Sequence, residues 1–259
     1  MKKLSLFMCL IIAVSAVFAG CGSSDSSSES AAEKSAAETT ASAKPVSKGY
    51  DETSPKTASW FDDAVFVGDS VTVMLDLYCE PNPDALGNAQ FICAGSLGYT
   101  NAQWDLDAEG NVHPSYKGQN ILAETCAKVT GATKVFIMLG MNDIGIYGTD
   151  GAIDECEKFT QRLVAQSPDA KLYFQSVTPK MSSHEDEVIY NELIRDFNTK
   201  LQSFCNEKGY KYLDIYSAVC DENGALREEY CGDPESDGQG IHFTSEACKI
   251  WVDYLKNNA

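Results

Sequence analysis

The chain has 259 residues and a formal net charge of −18 at pH 7, from 38 acidic and 20 basic side chains. A surface this acidic repels the phosphates of nucleic acid and of anionic lipid head groups, which excludes nucleic acid as an expected partner. About 200 residues follow the N-terminal segments described next, enough for one domain with a large core but hardly for two.

The first 20 residues have the pattern of a bacterial lipoprotein signal peptide. Lys2 and Lys3 precede an apolar stretch at residues 4–19, and small residues come directly before Cys21. The apolar stretch is too short for a stable membrane span. We expect residues 1–20 to be removed and Cys21 to be lipidated, which would hold the protein on the extracellular face of the bacterial cell membrane through this anchor alone. An ordinary secretory signal with an incidental cysteine is the alternative.

The next segment, residues 21–57, is rich in Ser, Ala, Glu, Thr and Lys and has hardly any large apolar residue before Tyr50. Such a composition cannot bury enough surface to offset the entropy of ordering the chain. We therefore predict a disordered tether over residues 21–57 and a single domain over residues 58–259.

Short apolar runs alternate with stretches of helical spacing along the domain. The predicted strands are residues 64–67, 90–94, 134–139, 171–176 and 211–214. The predicted helices are residues 71–78, 118–128, 152–166, 185–207 and 245–256. This alternation predicts a parallel sheet with right-handed crossovers and helices on both faces. In such folds the active site collects beyond the carboxyl ends of the strands.

Four polar or glycine-rich turns are expected at that edge of the sheet. They are residues 68–70, 94–98, 140–143 and 241–244. A serine nucleophile needs a base within hydrogen-bond reach and donors aimed at the oxyanion of the tetrahedral intermediate. Ser70, at the start of a helix, fits the nucleophile, while its own N–H, the Gly98 N–H and the Asn142 amide fit the donors. Each turn taken alone also fits a helix cap or an ordinary turn.

Of the three histidines, His242 is the strongest candidate for the base, because His113 and His184 lie in polar segments and are most simply surface residues. Asp69 and Asp143 are expected to organise their turns by accepting hydrogen bonds rather than to transfer protons.

In this order, residues 66–70, Gly98, residues 140–143 and residues 241–242 resemble the four sequence blocks of SGNH/GDSL hydrolases, over about residues 60–255. The resemblance implies the α/β class, with a three-layer α/β/α sandwich around a central, mostly parallel five-stranded sheet of flavodoxin-like type. It implies ester hydrolysis with Ser70 as nucleophile and His242 as base. The implied oxyanion hole consists of Ser70 N–H, Gly98 N–H and the Asn142 side chain. No metal and no organic cofactor is implied.

The acid of the triad is where the sequence departs from the family pattern. SGNH hydrolases usually carry Asp three residues before the histidine, but Gln239 stands there. Glutamine can orient the imidazole but cannot offset its charge. Asp237 is our first choice, since the neighbouring glycines would let the loop curl towards His242. A Ser-His dyad oriented by Gln239 or a backbone carbonyl is second, and Asp233 or Glu235 third.

Two other interpretations remain open. Residues 94–98 approximate the nucleophile elbow G-x-S-x-G with alanine in first position, which would make Ser96 the nucleophile of an α/β-hydrolase. We disfavour it because it leaves residues 68–70 and 140–143 unexplained. The other is a non-catalytic lipoprotein that binds carbohydrate or another cell-wall component on the same fold.

The expected substrate is a small-molecule or polysaccharide ester. Tyr99, Trp104 and Tyr147 follow motif turns and could form a platform for a sugar ring, although ordinary packing is the simpler interpretation. Together with the anchor, the tether and the acidic surface, they favour small acyl groups such as acetyl on neutral extracellular polysaccharide. We expect the protein to act as a monomer.

Eight cysteines follow Cys21, and an even count in an exported protein permits up to four disulfides. Cys220 and Cys231 suggest a pair because they bracket a short polar segment. The alternative is that most of the eight are small buried side chains. No Cys or His spacing points to zinc.

Overall fold

The structure, a computed structural model, describes residues 49–259. The predicted signal peptide, the lipidation of Cys21 and most of the predicted tether lie outside the described residues. Residues 49–57 contact the domain. The Tyr50 hydroxyl donates to the Leu172 carbonyl at 2.7 Å, and the Lys56 N–H donates to the Lys256 carbonyl at 2.6 Å. The Tyr50 ring also packs edge-on against Tyr173. Because of these contacts, the prediction of a disordered tether does not hold for residues 49–57.

Five parallel strands form the central sheet in the order β2-β1-β5-β6-β7. They are β1 (Ala64–Gly68), β2 (Gln90–Cys93), β5 (Lys134–Met138), β6 (Lys171–Gln175) and β7 (Lys211–Leu213). A separate antiparallel hairpin joins β3 (Ser115–Tyr116) to β4 (Gln119–Asn120). Every residue of β1 is buried, as expected for a strand covered on both faces.

The helices are α1 (Ser70–Cys79), α2 (Cys126–Thr130), α3 (Met141–Gln166), α4 (Asn191–Lys208), α5 (Ile215–Val219) and α6 (Ser245–Asn258). Successive residues of β1 point to opposite faces, so that Val65 and Val67 join a core with α2, α3 and α4. Phe66 joins a second core with α1, α5 and α6. The predicted α/β class and the three-layer arrangement are confirmed.

A row of aromatic rings crosses the second core from strand to strand. Phe66 stacks on Phe91 of β2 with ring centroids 5.2 Å apart and on Phe136 of β5 at 4.6 Å. Phe136 in turn stacks on Tyr173 of β6 at 4.5 Å. These neighbours are paired in register, so each stacked pair of rings stabilises the pairing of its two strands.

Three predicted helices differ from those observed. Residues 118–128 do not form one helix, because Lys117 and Gly118 adopt positive φ angles of 51° and 79° and turn the chain between β3 and β4. Only Cys126–Thr130 is α-helical there. α3 begins at Met141 rather than residue 152 and is broken at Gly148 (φ 68°, ψ 173°). α4 begins at Asn191 rather than residue 185, because the Asp186 carboxylate accepts the N–H groups of residues 188 and 189 and forms a turn.

Within residues 49–259 all eight cysteines are free, including Cys220 and Cys231, which favours the interpretation of small buried side chains over that of disulfides. Five of the eight are buried among apolar side chains, as small hydrophobic residues are. No helix in this part of the chain is both long and apolar enough to span a bilayer.

Candidate active site

Ser70 lies where β1 gives way to α1. The Asp69 carboxylate caps the helix by accepting the Val71 N–H at 3.0 Å, which satisfies one of the free amides of the first turn. Gly68 has no space for a Cβ atom, which would lie against the Thr72 side chain and 2.9 Å from the Met138 carbonyl oxygen. The tight turn therefore places the Ser70 hydroxyl at the carboxyl edge of the sheet.

The Ser70 hydroxyl forms one end of a chain of three side chains. It lies 2.9 Å from Nε2 of His242. On the other side of the imidazole ring, Nδ1 lies 2.7 Å from Oδ2 of Asp233. The His242 and Asp233 side chains are each 22% exposed, so the pair is partly shielded from water. This is the geometry of a Ser-His-Asp triad.

Asp233 also holds the loop that leads to His242. Its Oδ2 accepts the Gln239 N–H at 2.9 Å, and its Oδ1 accepts the N–H groups of Ile241 and His242 at 3.2 and 3.1 Å. Partial burial raises the pKa of Asp233, but hydrogen bonds from His242, the Gln239 N–H and the Cys231 thiol outweigh it and lower the pKa to about 2. The carboxylate is therefore charged at neutral pH.

The structure corrects the choice of carboxylate. Asp237, our first choice, is exposed and makes no hydrogen bond within the described residues, whereas Asp233, a third choice with Glu235, contacts the imidazole. The loop curls as its glycines suggest, with the Gly238 N–H donating to the Glu235 carbonyl at 2.8 Å. That curl brings the first residue of the loop to His242 and leaves its middle in solvent. Gln239 contributes its backbone N–H.

The three predicted oxyanion donors differ in whether their hydrogens are already bonded to another group of the protein. Ser70 is the first residue of α1, where a backbone N–H has no acceptor within the helix. One amide hydrogen of Asn142 is donated to the Leu97 carbonyl at 3.0 Å, which leaves the second hydrogen of that amide group. The Gly98 N–H is engaged, because it donates to Oδ1 of Asn101 at 2.8 Å.

Asn101 is a residue of the site that sequence reasoning missed. Its amide also donates to the Ser96 carbonyl at 2.8 Å, so the side chain bridges the loop that carries Gly98. This contact depends on the rotamer of the Asn101 side chain, for which the sequence carries no signal.

Asp143 joins the Gly98 loop to α3. Its carboxylate accepts the N–H groups of Tyr99 at 2.8 Å and Thr100 at 3.0 Å. A Cβ atom on Gly98 would lie 2.6 Å from Oδ2 of Asp143, so this approach requires glycine. Both buried aspartates organise turns. Burial raises the pKa of Asp143, and burial raises the pKa of Asp69 to about 7 although the Val71 N–H and His242 partly offset it.

The remaining candidates lie apart from this centre. Ser96 is exposed and hydrogen-bonds to none of the histidines in the described chain. His113 is buried, with Nε2 3.3 Å from the Asp105 carbonyl oxygen. Tyr99 is fully buried against Phe159, which rules out its part in a sugar platform. The other two residues proposed for that platform, Trp104 and Tyr147, are 41% and 47% exposed.

A cleft of about 680 Å³ opens beside the triad. Asn142 lines one side and Ile241, the neighbour of His242, lines another. Most of the remaining wall comes from two segments. One is the loop that leads to His242, with Ser236 and Gln239, and the other lies between β6 and α4 and includes Lys180, His184 and Asp186. His184 also contacts the loop of His242, since its Nε2 lies 2.8 Å from the Glu235 carbonyl oxygen.

The chain resembles known proteins in sequence and in fold. Residues 66–250 match the sequence model of the GDSL-like lipase/acylhydrolase family. A Streptococcus pneumoniae protein provisionally named a platelet activating factor is similar with a TM-score of 0.54 and 18% identity, over 81% of this chain and 86% of that one. A GDSL-like lipase of Bacteroides thetaiotaomicron gives 0.52 and 16%, over 74% and 85%.

The periplasmic domain of a lipopolysaccharide acetyltransferase of Salmonella Paratyphi A gives a TM-score of 0.50 and 15% identity, over 74% and 82% of the two chains. At such identities the likeness shows the fold alone. No curated protein sequence matches the chain. The family match spans most of the domain and includes Ser70, Gly98, Asn142 and His242, so the chain belongs to the GDSL-like lipase/acylhydrolase family, the SGNH/GDSL hydrolases that its motifs resemble.

Proposed function

We propose that the protein is a serine esterase that hydrolyses carboxylic esters by transferring the acyl group first to Ser70 and then to water. The observation that carries the proposal is the unbroken contact from Ser70 Oγ to His242 Nε2 at 2.9 Å and from His242 Nδ1 to Asp233 Oδ2 at 2.7 Å. A buried or helix-capping histidine would not need a serine hydroxyl on one nitrogen and a carboxylate on the other.

The first half of the reaction forms an acyl-enzyme. His242 Nε2 takes the hydroxyl proton as Ser70 Oγ attacks the ester carbonyl, and Asp233 stabilises the imidazolium that results. The carbonyl oxygen becomes an oxyanion, for which the Ser70 N–H and the second Asn142 amide hydrogen are the available donors. His242 then gives its proton to the leaving alcohol as the carbon–oxygen bond breaks.

In the second half, water attacks the acyl-Ser70 ester. His242 accepts a proton from that water, the carboxylic acid leaves, and the Ser70 hydroxyl regains its proton. Asp233 remains ionised throughout, in keeping with its low pKa of about 2. The chain's own residues supply every proton acceptor that these steps require.

The proposal is tested by covalent labelling with a fluorophosphonate and by turnover of nitrophenyl acetate. We expect Ser70→Ala to abolish both and Asn142→Ala to retain labelling while turnover falls about 10²- to 10³-fold. Ser96→Ala is the matched control and should behave as wild type. Absence of labelling in the wild-type protein would favour the non-catalytic binding protein, and labelling that depends on Ser96 would favour the nucleophile-elbow alternative.

We further propose that the esterase is extracellular and is anchored to the bacterial membrane through lipidated Cys21, with small acyl groups such as acetyl on carbohydrate as its substrates. The signal-like pattern of residues 1–21 and the net charge of −18 support this location and a neutral substrate. We expect Cys21→Ala to release the protein from the membrane fraction or leave it unprocessed. A processed variant that stays with the membranes would contradict the anchor.

A further inference from the structure

We infer that the cleft beside Asn142 and Ile241 binds the alcohol part of the ester, and that this alcohol is neutral and polyhydroxylated, as a sugar residue is. The inference rests on the proposed esterase activity and goes beyond it by assigning a binding site and its determinants. The leaving oxygen must take a proton from His242 Nε2, and the cleft is walled by the loop that carries His242.

The size of the cleft fits this assignment. About 680 Å³ lies within the range of pockets that enclose a small organic molecule, and it exceeds the need of an acetyl group. Met141 and Ile189 supply apolar wall, on which the CH face of a sugar ring can lie. Polar residues, among them Ser236 and Gln239, make up most of the rest of the wall.

Lys180 gives the cleft its most specific feature. Its side chain is only 8% exposed, and its Nζ lies 2.8 Å from Oδ2 of Asp186. An ammonium group has three hydrogens to donate, and Asp186 is its single hydrogen-bond partner in the described part of the chain. A ligand with oxygen acceptors can take the remaining hydrogens, whereas an alkyl chain would desolvate the charge without compensation.

The carboxylates of the cleft are already used by the protein. Asp186 Oδ1 accepts the N–H groups of Val188 and Ile189 at 2.8 and 2.7 Å, and Glu185 Oε1 accepts the Asn191 N–H at 2.6 Å. Two carboxylates against one ammonium leave the wall negative, and the formal net charge of the whole chain, −18, is negative as well. An anionic alcohol is therefore disfavoured. Hydroxyl groups, which both donate and accept, match the mixture of Lys180, Ser236 and Gln239.

The test uses two acetate esters that differ only in the alcohol: glucose acetylated at its primary hydroxyl, and hexyl acetate. The measured quantity is the ratio of kcat/KM for the sugar ester to kcat/KM for the hexyl ester, which is independent of how much of a variant has folded. We expect this ratio to be about tenfold or more in the wild-type protein. Lys180→Met should lower it about tenfold, mainly through the KM of the sugar ester.

Gln239→Leu should lower the ratio in the same direction, and it tests the cleft again if Lys180→Met does not fold. Lys158→Met is the matched control, because that lysine is 59% exposed, pairs with Glu155 and lies outside the cleft. A wild-type preference for hexyl acetate, or a ratio that neither cleft variant changes, would overturn the inference while leaving the esterase intact. Loss of fluorophosphonate labelling and of all ester turnover in the wild-type protein would instead overturn the proposed function.

Discussion

Asp233 and Asp237 stand four positions apart in one loop, yet only Asp233 contacts the imidazole of His242. Asp233→Asn keeps an oxygen for the loop N–H groups but places an amide against Nδ1, which favours the wrong tautomer. We expect kcat for nitrophenyl acetate to fall about 10³- to 10⁴-fold. Asp237→Asn, which removes the same charge from an exposed position, should stay near the wild-type rate. A larger loss in Asp237→Asn than in Asp233→Asn would contradict the triad observed here.

The raised pKa of Asp69 predicts that the stability of the protein depends on pH. Burial raises its pKa in the folded protein to about 7, above the ordinary value of 3.8 that the unfolded chain retains. The folded state therefore binds the proton more tightly, and stability falls as pH rises from about 4 to 7. Asn can cap α1 equally well and carries no charge. Asp69→Asn should match wild type in Tm near pH 4 and exceed it by several degrees at about pH 8.

Asp237→Asn is the control for Asp69→Asn, because it makes the same substitution at an exposed position. A difference between Asp69→Asn and wild type that does not grow with pH would show that folding leaves the pKa of Asp69 unchanged. Both measurements are thermal unfolding curves and do not depend on the identity of the substrate.

The residues of the site differed in how far sequence could predict them. Ser70 directly follows the end of β1, and His242 lies just before α6, each within a short motif. Their contact therefore follows from the fold. Asp233 depends on how a nine-residue loop curls, and the engagement of the Gly98 N–H depends on one rotamer of Asn101. Neither property has a periodicity or a motif that a single sequence reveals.

At the scale of elements, the five sheet strands were predicted to within one residue at each end. Each is a short and mostly apolar run, as strands covered on both faces are. The helix predicted at residues 118–128 is wrong, because a turn with positive φ angles joins β3 to β4 there. The apolar residues of this segment are spaced as in a helix, but they are buried without forming one continuous helix. Spacing alone also missed the start of α3, where the motif of residues 140–143 begins the helix.

The junction of β5 and α3 gives an element-scale prediction. Gly140 has a φ of 127°, and a Cβ atom there would lie 2.6 Å from Cε1 of Phe197 in α4. We expect Gly140→Ala to lower the free energy of unfolding by about 2–4 kcal/mol and to displace Asn142. Denaturant unfolding and turnover of nitrophenyl acetate measure the two effects. Gly95→Ala, whose Cβ would meet nothing within 4 Å, is the control. Equal stabilities would show that α4 yields to the added methyl group.

At the scale of the whole molecule, hydrogen bonds attach residues 49–57 to the rest of the domain. Tyr50 bonds to β6 through the Leu172 carbonyl, and Lys56 bonds to the end of α6 through the Lys256 carbonyl. A chain that starts at residue 58 should therefore have a free energy of unfolding about 2 kcal/mol lower than a chain that starts at residue 49. It should unfold at a lower denaturant concentration. Coincident unfolding midpoints would mean that the segment adds nothing to the fold.

The carboxylate of Asp233 fastens the far end of its own loop, because it accepts the N–H groups of Gln239 and Ile241 in addition to the imidazole. No side chain of residues 234–237 hydrogen-bonds to Asp233 or His242 in the described chain. This stretch includes Pro234 and Ser236, which line the cleft. Mutation there can reshape the wall that meets the substrate while the triad keeps its geometry. A lineage of such enzymes could change its choice of ester without first losing its chemistry.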